Sequence, residues 1–149
     1  MKIKFSKKEV IIFMQIKGGL INTKDMPHTS AYLTKNLPGV LKTKCFNKDR
    51  LPFSIELKKT EVGHLFEHIL IEYLCDERIA DGFISADYSG VTSWDWNKRP
   101  YGSFKIKLNV PQKEQGVFIP AFQKSINFLD NLKLNNKYFQ RSSGKINFV

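Results

Sequence analysis

Thr60–Glu77, TEVGHLFEHILIEYLCDE, is the stretch on which the reading of this chain turns. A helix advances by about 100° per residue. At that advance Val62, Leu65, Phe66, Ile69, Leu70, Tyr73 and Leu74 fall on one side, and Glu61, His64, Glu67, His68 and Glu72 fall on the other. The pattern is that of a single amphipathic helix. Thr60 stands where an N-cap is expected, and Gly63 comes early, where its conformational cost is least.

The polar side carries His64-x-x-Glu67-His68. Histidines at i and i+4 lie one above the other on a helix and can pinch one metal ion. A glutamate just before the second histidine is near enough to act on a water held by that ion. This is the inverted zinc-peptidase pattern, HxxEH. The same spacing also describes a solvated helix face with Glu–His hydrogen bonds. Two of the chain's three histidines fall on this one stripe, which weighs towards a site.

Zinc held by two imidazoles needs a third protein ligand and one open position. Glu72 lies one turn beyond His68, and its side chain leans back towards the helix N-terminus. It serves either as that ligand or as a hydrogen-bond partner of an imidazole. Cys45, His28 and Asp95 are further candidates, and Cys75, also on the polar stripe, reads as a small buried residue. Glu67 is the expected general base, taking a proton from water and returning one to the leaving amine. The chemistry is metal-assisted amide hydrolysis, with no covalent intermediate required.

Upstream of this helix, Met1–Lys8 is a short basic start and Glu9–Ile16 (EVIIFMQI) reads as a buried strand. A short helix is expected over His28–Asn36, with Pro38-Gly39 as its stop. Val40–Phe46 alternates weakly as a short strand, Asn47–Pro52 is a polar loop, and Phe53–Leu57 is extended or a single turn. Downstream, the central helix should end near Asp76–Ile79, and Phe83–Tyr88 (FISADY) alternates like a strand. Ser89–Pro100 is a loop in which Trp94, Asp95 and Trp96 either wall a cleft, with Asp95 receiving a guanidinium, or pin the loop to the body. Tyr101–Val110 sets Phe104, Ile106 and Leu108 against Lys105 and Lys107, a half-buried antiparallel strand. Gln112–Leu132 is helical in spacing, with Pro120 bending it or delaying its start. The predicted fold class is α+β: two layers, a mainly antiparallel sheet with helices packed on one face. It occupies residues 1–132 as one domain, followed by a basic tail, 133–149.

The 149 residues, 42% of them hydrophobic and twelve of them Phe, suit a globular domain with a sizeable core. No apolar run approaches the roughly 20 residues needed to span a bilayer, no signal peptide is evident, and two cysteines give no disulfide framework. A cytoplasmic location and no membrane partner are therefore expected. The net charge of +10 favours acidic partners in general. The lysines are scattered, however, and neither an RNA-binding signature nor a paired-cysteine zinc pattern is present. Lys133, Lys137, Arg141 and Lys145, interleaved with Tyr138 and Phe139, make the tail either a nucleic-acid contact or a solvated extension, and nucleic acid ranks last among the partners.

Pro38-Gly39-Val40, Cys45, Leu51-Pro52-Phe53, Lys59-Thr60 and His64-Leu65-Phe66-Glu67-His68-Ile69-Leu70-Ile71-Glu72 together resemble the N-terminal domain of cyanophycin synthetase, here free-standing. The likeness spans roughly Val10 to Leu132 and is strongest over Pro38–Glu72. The family's Gly-Gly before the Phe is Leu51-Pro52 here, and its Gly-Arg-Thr segment after the helix has no counterpart near Ser89–Ser93. The resemblance implies binding of an aspartate–arginine polymer and, as in some members, its hydrolysis at a metal held by the HxxEH helix. His64 and His68 would be the ligands, Glu67 the base and Glu72 an acidic partner of the site. The synthetase's ligase and ATP-grasp parts are absent from this stretch, so polymer synthesis is not expected of it. The leading expectation is a zinc-dependent hydrolase acting on a cyanophycin-like or other peptide polymer. The alternative is a non-catalytic polymer- or protein-binding module of the same fold.

Overall fold

Alternation in two strands builds the sheet. Val10, Ile12 and Met14 point to one face of β2 (Val10–Gln15), and Phe104, Ile106 and Leu108 to the same face of β4 (Ser103–Leu108). The two strands pair so that Ile12 faces Ile106 across the ladder, Val10 faces Leu108 and Met14 faces Phe104. A shift of one residue would turn both apolar sets to water, so burial of one face fixes the register. The computed structural model describes residues 1–43, 45 and 51–146, with side chains as far as residue 137. In it β1 (Lys2–Phe5) and β3 (Gly90–Ser93) complete the sheet in the order β1-β2-β4-β3, every pairing antiparallel.

Two long helices, α4 (Val62–Ala80) and α5 (Gln115–Ile146), cover the apolar face. The central helix is amphipathic as its sequence foretold: Val62, Leu65, Phe66, Ile69, Leu70 and Leu74 are buried in the core, and Tyr73 is half-buried. Phe118 of α5 meets Phe5 of β1 edge-on at 5.1 Å and stacks on Phe122 at 5.4 Å, an arrangement the ring quadrupoles favour. Of three short helices, α2 (Gly39–Lys42) packs on α4 and on α3 (Phe53–Glu56), and α1 (Thr29–Asn36) lies against α2 and α5. The fold is thus α+β, with helices on the sheet's apolar face. No helix among the described residues is long and apolar enough to cross a membrane.

Several boundaries differ from those read in the sequence, each for a physical reason. Pro38-Gly39 does stop the first helix, since α1 ends at Asn36, but it also starts α2, whose Val40 is buried, so residues 40–42 are helical rather than extended. The rest of the expected strand, apart from Thr43 and Cys45, and the loop over 47–50 lie outside the described residues. FISADY is not a strand: Phe83 is half-exposed and Ile84 fully so at 102%, only Tyr88 at its end is buried, and the strand in this region is instead β3, Gly90–Ser93. The last helix does not end at Leu132. It runs to Ile146 with Pro120 inside it, and Asn136, fully buried, accepts the His28 N–H at 3.0 Å and donates to the Leu132 carbonyl at 3.0 Å. The boundary expected after Leu132 therefore has no counterpart in the backbone, while the side chains of Tyr138, Phe139, Arg141 and Lys145 lie outside the described residues.

Gly63 is placed by packing rather than by tolerance of the first helical turn. A Cβ there would collide with the Phe104 ring, a buried core group. Gly63→Ala should therefore lose more through overpacking, about 1–3 kcal/mol, than it gains from helix propensity, about 1 kcal/mol. Urea denaturation of the two proteins measures the difference; an alanine variant more stable than the parent would contradict this packing.

Candidate metal centre

The site begins with what holds the start of α4. The Thr60 backbone is tied at both ends to Thr23: its N–H donates to Thr23 Oγ1 at 2.8 Å, and its carbonyl receives the Thr23 N–H at 2.8 Å. The Val62 N–H, which the helix leaves without an internal partner, donates to the Ile21 carbonyl at 2.7 Å. Glu61, not Thr60, occupies the N-cap position, and its side chain makes no capping bond. The Thr60 hydroxyl serves a different purpose and lies 2.9 Å from His64 Nδ1.

One turn on, His68 is 5% exposed and Glu67 4% exposed, so the polar stripe is not a solvated face. It is roofed by the chain around α2 and α3 on one side and by β3 on the other. Thr43, just after α2, brings its hydroxyl to 3.0 Å from His68 Nδ1. That hydroxyl already donates its one proton to the Val40 carbonyl at 2.7 Å. It must therefore accept from His68 Nδ1–H, which leaves His68 Nε2 as a bare electron pair. The Thr43 carbonyl receives the Phe53 N–H at 3.2 Å. This seats the Phe53 ring flat on His68 at 3.8 Å and edge-on to His64 at 5.5 Å, fixing both imidazole planes.

The free ring nitrogens converge. His64 Nε2 lies 3.2 Å from His68 Nε2 and 3.3 Å from Cys45 Sγ, and the three donor atoms all fall within 4.8 Å of one another. Such atoms repel unless a proton or a cation lies between them. A tetrahedral ion with nitrogen at about 2.0–2.1 Å and sulfur at about 2.3 Å separates two nitrogens by about 3.3 Å and nitrogen from sulfur by about 3.6 Å. The nitrogen–nitrogen edge matches that figure, and the nitrogen–sulfur edge is about 0.3 Å shorter than it. Burial, reinforced by the neighbouring His64, pulls the His68 pKa down to about 3, so its ring is neutral as a ligand must be. Burial also lowers the His64 pKa, against the pull of Glu56 and Glu61. The Cys45–His64–His68 group lies close enough together to hold a metal ion.

Glu67 lines the same cleft and accepts a hydrogen bond from the Thr92 hydroxyl of β3. Burial pushes its pKa up to about 6, with the Thr92 hydroxyl opposing. The cleft has a volume of about 680 Å³ and is bordered by α4, the segment from Ala86 to Thr92, and Trp94.

The remaining sequence candidates are distributed as follows. Glu72 lines the cleft but is not one of the three converging residues; its carboxylate lies against the Cα of Gly39, where any side chain would strike it. Burial, with Asp76 adding, raises its pKa. His28 precedes α1, and Asp95 accepts from the Asn97 N–H at 3.2 Å, so neither joins the group. Cys75 lines the cleft with Sγ 3.9 Å from the Ala86 carbonyl oxygen. Of the two tryptophans, Trp94 borders the cleft while Trp96 pins the loop through Nε1 to the Ser103 carbonyl at 3.0 Å. The sequence does not foretell the contacts of Thr43, Phe53 and Thr92 with the site, although Phe53 stands within the Leu51-Pro52-Phe53 segment of the resemblance. These residues come from three separate segments, and no periodicity connects them to the helix they serve.

No family model matches the chain, and no curated protein matches it either.

Cobalt(II) titration followed by visible absorption distinguishes the possible third ligands. The parent should show sulfur-to-cobalt charge transfer that is lost in Cys45→Ser. Thr43→Val, which frees the His68 ring from its partner, should weaken binding by about 10–100-fold. Glu72→Gln should bind like the parent; loss of cobalt in that variant alone would make Glu72 the ligand.

Proposed function

We propose that this protein is a zinc-dependent, peptidase-like hydrolase that cuts amide bonds in a peptide polymer, a relative of the cyanophycin synthetase N-terminal domain. One observation carries the reading: two imidazoles and a thiol converge beside a buried glutamate, all on one open cleft. Two nitrogens and a sulfur suit zinc among the common divalent ions. Three protein ligands leave a fourth position open, as catalytic rather than structural zinc sites do. When bound, zinc supplies Lewis acidity to a scissile carbonyl and lowers the pKa of water to near neutral.

The chain's own residues supply the rest. His68 offers only an electron pair, because its proton is held at Nδ1 by Thr43. Thr60 orients His64 through Nδ1. Glu67, held by Thr92, is the group placed to take a proton from water and to hand one to the departing amine. A cyanophycin-like chain of amide-linked aspartate and arginine is the polymer that the resemblance around Pro38–Glu72 favours.

Glu67→Gln keeps the hydrogen bond from Thr92 but removes the base. It should retain one zinc per chain by elemental analysis and lose hydrolysis of a peptide or cyanophycin substrate by about 100-fold or more. A parent protein that stays metal-free in zinc-replete medium, or a Gln variant with undiminished turnover, would overturn the reading.

A further inference from the structure

β3 is an edge strand: β4 pairs with one side of it, and among the described residues no strand pairs with the other. The orientation of its backbone follows from the ladder. The Asn109 N–H donates to the Ser89 carbonyl at 3.1 Å, so residues 89 and 109 are a hydrogen-bonded pair. Antiparallel pairs alternate, which makes Val91/Lys107 and Ser93/Lys105 the next bonded pairs in this register. Gly90 and Thr92 therefore turn their N–H and C=O groups outward, along the free edge. Both residues also line the cleft that holds the Cys–His–His group. Thr92 sits on that edge while its hydroxyl holds Glu67.

The electrostatics of the cleft run against those of the molecule. The chain carries +10 overall, yet among the described residues the cleft is lined by Glu56, Glu61, Glu67, Glu72 and Asp87 against one cation, Lys59. Glu56 Oε2 is buried there with no hydrogen-bond partner among the described residues. A buried carboxylate oxygen left in that state is costly unless a ligand supplies the donor.

We infer that the cleft takes an extended peptide with basic side chains, bound by strand addition: its main chain pairs with the outward groups of Gly90 and Thr92, and its cationic side chains meet the acidic wall. Strand addition draws affinity from main-chain hydrogen bonds and selectivity from alternate side chains. It would lay the substrate's amide groups along β3 beside the residue that positions Glu67. The inference rests on the hydrolase reading for its purpose, but binding alone can test it.

The test titrates zinc-loaded Glu67→Gln protein calorimetrically with acetyl-(Ala-Arg)₃-amide, its Ala-Glu counterpart, and two Ala-Arg peptides carrying N-methyl groups on every Ala or on every Arg nitrogen. Only alternate N–H groups of an added strand face β3, and a one-residue shift would turn the arginines away from the acidic wall. One methylated peptide should therefore bind about tenfold or more weakly and the other nearly as well as the parent. The Glu peptide should not bind measurably. Equal effects of the two methylation patterns, equal affinity for Arg and Glu peptides, or no binding of the Arg peptide to zinc-loaded protein would each overturn the inference while leaving the metal site standing. Failure to load zinc would overturn the hydrolase reading instead, and the same titration on metal-free protein would still report on the edge.

Discussion

Burying the polar side of a helix obliges every donor and acceptor on it to find a partner, and this constraint governs the rest of the molecule. The stripe holds half-buried His64 and buried Glu67 and His68, and each meets the hydroxyl of a different threonine. Thr60 serves His64, Thr43 serves His68 and Thr92 serves Glu67. The three threonines come from the lead-in to α4, the end of α2 and the edge of the sheet. The stripe is therefore where all layers of the fold meet, and the short helices and β3 are held in place partly because they bring these hydroxyls.

The helix itself was legible in the sequence because its information is local. Apolar spacing gave the core face, and His64, Glu67 and His68 were visible by the same 3.6-residue period. The strand at Phe104–Leu108 was equally clear, since clean alternation admits one buried face. What failed was of two kinds. FISADY alternates, but only its end reaches the core: Phe83 and Ile84 stay exposed while Arg78 and Glu114 hold the buried Tyr88 by its hydroxyl, and the chain pairs into the sheet only from Gly90. Pro38-Gly39 was a true break in one helix and the start of another, a distinction that depends on the burial of Val40. The partners of the site were illegible because Thr43, Phe53 and Thr92 reach it through space, and a threonine in a loop carries no mark of the ring it will face.

Proton placement follows from the same network. The Val40 carbonyl takes the Thr43 proton, Thr43 then fixes the His68 tautomer, and the His68 electron pair is aimed at the point where His64 and Cys45 also aim theirs. A backbone carbonyl of a four-residue helix thus sets the protonation of a ring two segments away. Phe53, stacked on that ring, supplies the apolar surroundings that keep it neutral.

Glu72 and Gly39 illustrate how tightly the region is interlocked. The carboxylate occupies the space that a side chain at position 39 would need. A side chain at position 39 would therefore have to swing the Glu72 carboxylate, the flexible end of its side chain, further into the cleft it lines, redistributing negative charge there without displacing any backbone.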